Sequence, residues 1–280
     1  DLQYTFDKIA IISENRPEWV YTLYATWHTK KIAIPIDAQS SSSELSYILH
    51  DAIPGIVFCS NETEKTVQDA VKQVSKEYNI TNIKIINFDE ITHKETTQGS
   101  LVAIPYPQDD PHKTALIIYT SGTTGSPKGV MLTFDNIYIN YNAVANEVKI
   151  YDENQRTMVL LPIHHILPIV GTIVAPLASK GSIYFSPSLN GPDIIETLQK
   201  HKINLFIGVP KLFSVIQKGI REKINSSIIA KALFSLAKKI NSKSFSKKVF
   251  KTVHKRFGGH IRFFVSGGAA LDREITEDFT

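Results

Sequence analysis

The segment Tyr119-Thr120-Ser121-Gly122-Thr123-Thr124-Gly125-Ser126-Pro127-Lys128-Gly129 decides how the rest of the chain is read. It follows the apolar run Ala115–Tyr119, expected to be a strand, and precedes a helical pattern from Phe134 that Thr133 can cap. Glycines and small hydroxyl residues let a backbone approach a polyanion closely, and successive N–H groups in such a turn form a concave anion site. The Ser and Thr hydroxyls can donate to phosphate oxygens, and Lys128 adds a point charge. Gly/Ser/Thr turns after strands also occur as plain structure, but a run this rich in both that ends in Pro-Lys-Gly is far rarer. The spacing excludes a Walker A loop, because Ser126 and Pro127 separate Gly125 from Lys128.

Similar runs recur on both sides. Strands are expected at Ile9–Ile12, Ile32–Ile36, Ile56–Cys59, Ile83–Asn87, Ala115–Tyr119, Met158–Leu161, Ile183–Phe185, Leu205–Val209 and Ile261–Val265. Helical spacing lies between them: Pro17 opens a pattern with Trp19, Leu23 and Trp27 on one face, and Pro192-Asp193 opens another through His201. Repeated strand–helix–strand predicts an α/β architecture with mostly parallel sheets, the nine strands dividing between two of them. Residues 98–111 read as a surface loop, and 166–178 as a buried helix broken by Pro168, Gly171 and Pro176.

The chain has 280 residues, 42% hydrophobic and 21% charged, the balance of a globular domain, and no apolar run reaches the ~18 residues of a membrane span. The opening Asp1-Leu2-Gln3 is unlike a secretory leader, so a cytoplasmic protein is expected. Cys59 is alone, which excludes an internal disulfide and a multi-cysteine metal site, and its apolar setting reads as core packing. The histidines other than His164 and His165 have no carboxylate or cysteine at metal-ligand spacing, and no metal-binding residue is assigned. Charge is uneven. From Lys211 to Phe257 thirteen Lys/Arg face one acid, Glu222, giving +12 on amphipathic helical patterns, while the remainder is −8. Two readings fit that island: a solvated helical face, or a peripheral contact with an anionic membrane at the inner membrane surface. Nucleic acid is not expected, since aromatic residues are not interleaved at single-strand spacing.

Residues Ser121–Gly129 resemble the phosphate-loop signature of the AMP-binding, adenylate-forming superfamily. Other segments match it in order along essentially the whole chain. Lys8–Trp19 is similar to the family's opening strand and helix, and Leu161-Pro162-Ile163-His164-His165 to its second core motif. Gly208-Val209-Pro210 is similar to the strand end that walls the acyl pocket, and Ser266–Leu271 to the turn bordering adenine and the acyl tunnel. Within the superfamily, the lysine-rich helical excursion and the wording Ile261–Leu271 resemble the long-chain-fatty-acid–CoA ligase (acyl-CoA synthetase) branch.

The resemblance implies two stacked α/β subdomains: residues 30–149, with the phosphate loop, and residues 1–29 with 150–280. It implies an enzyme that uses ATP and Mg2+ to turn a fatty acid into acyl-AMP, and coenzyme A to form the thioester. Thr120, Ser121, Gly122, Thr123, Thr124, Gly125 and Lys128 would hold phosphates, and His165 would act beside the α-phosphate or the carboxylate. Val209, Gly267, Gly268 and Ala269 would line the adenine and acyl pocket. His164 and His165 can also be read as ordinary strand-end histidines, and Gly267-Gly268 as a plain turn. The family's aromatic-Gly-x-Thr-Glu element, ribose-binding Asp, hinge and small C-terminal domain are not among these residues, which implies an N-terminal fragment that is itself inactive. The alternatives are an acyl- or aryl-AMP ligase loading a carrier protein, and a non-catalytic nucleotide- or lipid-binding module.

Overall fold

A computed structural model describes residues 6–91, 110–120, 126–240 and 251–279. Most of the expected loop at 98–111, and the 241–250 part of the basic island, lie outside the described residues. The chain divides into two compact units, residues 1–143 with 162–166, and residues 144–161 with 167–280.

The first unit is built on β1 (Lys8–Ile12), β2 (Ile32–Ile36), β3 (Ile56–Cys59), β4 (Lys84–Asn87), β5 (Thr114–Thr120) and β6 (Lys128–Thr133), in spatial order β4-β3-β1-β2-β5-β6. The first five are parallel neighbours and β6 returns antiparallel to β5. Helices α1 (Pro17–His28), α2 (Ser42–Ala52) and α3 (Glu64–Tyr78) make the crossovers. Alternation along the strands assigns their faces: Ala10, Ile12, Ile34 and Ile36 share a core with Leu45, Leu49, Val67 and Val74 of α2 and α3. Ile9, Ile11 and Ala33 point the other way and are buried with Trp19 and Leu23 of α1, as right-handed crossovers require. Cys59 belongs to the α2–α3 core, where burial first, and the acids Glu64, Glu90 and Asp89 after it, push its thiol up to about 11.

The expectation placed residues 1–29 with the second unit. Strand pairing gives them to the first, because β1 lies at the centre of its sheet, in parallel register with β2 (Ala10↔Ile34) and β3 (Ala10↔Val57). The phosphate-loop segment also leads into a strand, β6, before reaching the helix α4 (Phe134–Asn142), so it joins a hairpin. Thr133 does cap α4, its Oγ1 accepting from Asn136 N at 3.2 Å.

The second unit holds β7 (Arg156–Val159), β8 (Ser182–Phe185), β9 (Leu205–Gly208) and β10 (Phe263–Ser266), all parallel in the order β10-β9-β7-β8. The stretch 166–178 is helical as expected, with a π-helical turn at Ile169–Val174 between short α-helical pieces, just ahead of Pro176, which has no N–H to give the ladder. Helices α6 (Gly191–Lys200), α7 (Pro210–Asn225), α8 (Ile228–Ile240), α9 (Lys251–Arg256) and α10 (Arg273–Phe279) follow α5, the helical stretch 166–178. Phe206, Phe213, Phe264 and Phe279 meet edge to face in this unit's core.

The β5–β6 register shifts between Thr114 and Leu116, and at that irregularity the Ala115 carbonyl accepts from Trp27 Nε1 at 2.9 Å. Trp27→Phe keeps an aromatic ring at the position but removes the pyrrole ring and with it this buried donor. Urea unfolding should show a loss of about 1–2 kcal/mol, and an unchanged midpoint would mean that the indole bond adds nothing.

Candidate functional site

In a parallel sheet the loops after the strands gather at one edge, and a crevice opens where neighbouring loops leave to opposite faces. Here β1 leads through α1 to β2 on one side and its other neighbour β3 leads through α3 to β4 on the other, so the switch point lies between the C-terminal ends of β1 and β3. The polar residues of that edge sort into two groups.

On the β1–β3–β4 side they satisfy each other. Arg16 contacts Glu18 at 2.9 Å, Glu14 at 3.2 Å and both Asp89 oxygens at 2.8 and 3.2 Å. Asp89 also accepts from Asn61 N, and Ser60 Oγ donates to Glu14 at 2.7 Å. The guanidinium, then the Asn61 N–H, hold the Asp89 carboxyl below its ordinary range.

On the β2–β5–β6 side the side chains of Thr120, Lys128 and His165 have no hydrogen-bond or ion-pair partner among the described residues. The turn Pro162–Ile166 is seated over the ends of β1 and β2, where Ile163 N donates to Asn15 Oδ1 at 3.1 Å. His164 Nε2 lies 3.8 Å from Asp37 Oδ2, directly after β2, and its ring sits 3.9 Å from that of His165. Burial, then the neighbouring His165, lowers the proton affinity of His164, and Asp37 opposes them. His165 is exposed. At the far end, Thr120 closes β5 directly opposite Lys128, the first residue of β6, and both are exposed. The hairpin therefore delivers a hydroxyl and an ammonium to the mouth of the loop. Ser121, Gly122, Thr123, Thr124 and Gly125 lie outside the described residues.

Tyr119 fixes that mouth from beneath. Its hydroxyl donates to Asp51 Oδ2 of α2 at 2.5 Å, and burial, then Asp51, raises its proton affinity. The ring lies across Gly129, where a Cβ would come within 2.9 Å of Ile117 Cγ2 and 3.2 Å of Tyr119 Cζ. The glycine of Pro-Lys-Gly thus makes room for Tyr119.

In the second unit, Val209, Gly267 and Gly268 come together at the C-terminal edge of β9 and β10. Gly267 N donates to Gly208 O at 3.2 Å, and Gly268, at φ +83°, turns the chain so that Val209 Cγ1 is the nearest atom to the site of its missing Cβ. Ala269 follows, exposed. Ser266 Oγ is buried there with no hydrogen-bond partner among the described residues. The expected site residues thus fall into two sets: Thr120, Lys128, His164 and His165 on one unit, Val209 and Gly267–Ala269 on the other. Asn15, Asp37 and Ser266 were not singled out from sequence. Asp37 carries a weak signal, an acid directly after an apolar strand.

Comparison with known proteins defines the class. The chain belongs to the AMP-binding enzyme family, whose model matches residues 5–280. Fatty acyl-CoA synthetase B of Dictyostelium discoideum is 28% identical over 96% of the chain and 44% of its own length. The human long-chain-fatty-acid–CoA ligase ACSBG2 is 27% identical over 98% of the chain and 46% of its own length. The chain thus spans less than half of these relatives. Among solved structures, the N-terminal domain of FACL13 from Mycobacterium tuberculosis superposes with a TM-score of 0.72 at 17% identity, over 98% of the chain and 60% of that structure. ATP-bound MatB from Rhodopseudomonas palustris gives 0.66 at 22% identity, over 97% of the chain and 47% of that structure. These likenesses confirm the α/β fold of adenylate-forming N-terminal domains.

Gly129→Val should displace Tyr119 from Asp51. Loss of a downfield phenolic proton resonance and a lower melting temperature are the expected readouts, whereas an unchanged Tyr119 signal would contradict the contact.

Proposed function

We propose that this chain takes part in the ATP-dependent activation of a fatty acid, long-chain by class, to acyl-AMP and then to a coenzyme A thioester. The observation that carries the reading is Thr120 set opposite Lys128 at the loop mouth, on the same sheet edge as the seated His164-His165 turn. The names of the fatty acyl-CoA synthetase relatives support the substrate class.

A carboxylate is a poor electrophile. Its oxygen attacks the α-phosphorus of ATP, the bond to the bridging oxygen breaks and pyrophosphate leaves. Thr120, Lys128 and the hydroxyls and N–H groups of Ser121–Gly125 would hold the β- and γ-phosphates and meet the charge that grows on them. His165 would stand beside the α-phosphate or the carboxylate. Val209, Gly267, Gly268 and Ala269 would border adenine and the acyl chain. The thiol sulfur of coenzyme A then attacks the acyl carbon and AMP departs. Mg2+ would offset the charge of the triphosphate.

Lys128→Ala and Thr123→Ala, made in the whole protein, should slow ATP–pyrophosphate exchange on the order of tenfold to a hundredfold, the range of a lost charge-assisted hydrogen bond. An equal loss in thioester formation from preformed acyl-adenylate would contradict the phosphate role. Transfer to a carrier protein in place of coenzyme A would favour the carrier-loading alternative, and binding without exchange would favour a non-catalytic module.

The island 211–257 is proposed as a peripheral contact with an anionic membrane. No helix among the described residues is long and apolar enough to cross one. Lys211, Lys218, Lys231, Lys251 and Lys255 are exposed, while Arg221 is engaged by Glu274 and Asp278. On α8, Phe234 shares a small cavity with Ile220 and Ile224 of α7, whereas Leu236 and Ile240 are exposed at 45% and 46%. Sedimentation with vesicles should rise with anionic lipid and collapse in high salt. It should also drop when Lys238, Lys239, Lys247 and Lys248 are changed together to Gln. Indifference to salt and to that change would leave the island a solvated face.

A further inference from the structure

We propose that Asp37 is a positioning residue for the His164-His165 pair, holding the ring of His164 and, through it, the place at which His165 is presented. The inference rests on the adenylation reading for its functional consequence and on the geometry alone for the contact.

The two oxygens of Asp37 do different things. Oδ1 accepts from Gln39 N at 2.9 Å, and Ser40 N donates to the Asp37 carbonyl at 3.0 Å, so a tight turn after β2 fixes the carboxylate plane. Oδ2 is left directed at His164 Nε2, 3.8 Å away. In the turn Pro162–Ile166, Asn15 holds Ile163 N, and His165 N donates to Pro162 O at 3.3 Å. The backbone is thus clamped from β1, and the side chain at its centre faces an acid from β2.

Without Asp37 the His164 ring has a single charged or titratable neighbour among the groups that act on it, His165. Burial and that second imidazole both work against a proton on His164. Two imidazoles 3.9 Å apart would repel each other if both were charged, and the carboxylate beside the His164 ring opposes that effect at His164. Asp37 also stays partly open to water, its side chain 47% exposed, so its effect is that of a screened pair rather than of a buried one. It touches no expected reacting atom and acts only through His164.

Asp37→Asn separates charge from shape, since the amide oxygen can still accept from Gln39 N. Imidazole NMR titration, with His164 assigned by a His164→Gln variant, should show the His164 midpoint move down in Asp37→Asn and return in Asp37→Glu, with the amide spectrum otherwise intact. In pyrophosphate exchange, kcat should fall on the order of fivefold, the reach of a screened charge pair, at unchanged KM for ATP. An identical His164 titration in the wild type and Asp37→Asn would overturn the proposal. If His164 titrates as expected but the wild-type whole protein shows no exchange with any fatty acid, the adenylation reading fails and the Asp37 contact stands.

Discussion

The parallel ladder of β1 with β2 on one side and β3 on the other is the constraint on which the rest of the first unit depends. A parallel sheet cannot be closed by hairpins, so its strands need long crossovers, supplied by helices after β1, β2 and β3. Once β1 occupies the centre, α1 and α2 must leave to opposite faces. The residues that follow β1 and β2, Asn15 and Asp37, therefore lie side by side at one edge. The turn Pro162–Ile166, far along the chain, is seated on both of them.

The antiparallel return of β6 supplies the second half of the site. A helix after the phosphate-loop segment would have carried Lys128 away from the strand end. A strand brings it back opposite Thr120, and the missing side chain at Gly129 lets Tyr119 brace the hairpin against Asp51. The polar groups of the β1–β3–β4 side consume one another around Arg16, which confines the open donors to the β2–β5–β6 side. Charge is thereby placed by topology before any ligand arrives.

The strands were legible because a parallel strand buried on both faces reads as a continuous apolar run, as in Ile32–Ile36. Strand β6 was not. It lies at the sheet edge, opens with Lys128-Gly129 and exposes Val130 and Met131, so it carries neither alternation nor a buried run. The sheet to which β1 belongs is a long-range fact that no local pattern encodes. Some helix ends were hidden too, since Lys30, Ile53, Lys180 and Lys202 take the left-handed conformation with no glycine to announce it. The phosphate-loop segment was legible from composition. The partners of the His164-His165 turn were not, because Asn15 and Ile163 stand 148 positions apart.

The account's central claim is that the edge formed by the C-terminal ends of β2 and β5 and the start of β6 receives a nucleotide triphosphate. Titration of isotopically labelled protein with ATP and Mg2+, followed by NMR, tests it most directly. The account predicts saturable shifts at Thr120, Lys128 and His165. Shifts confined to the lysines of 211–257, with that edge unmoved, would contradict it.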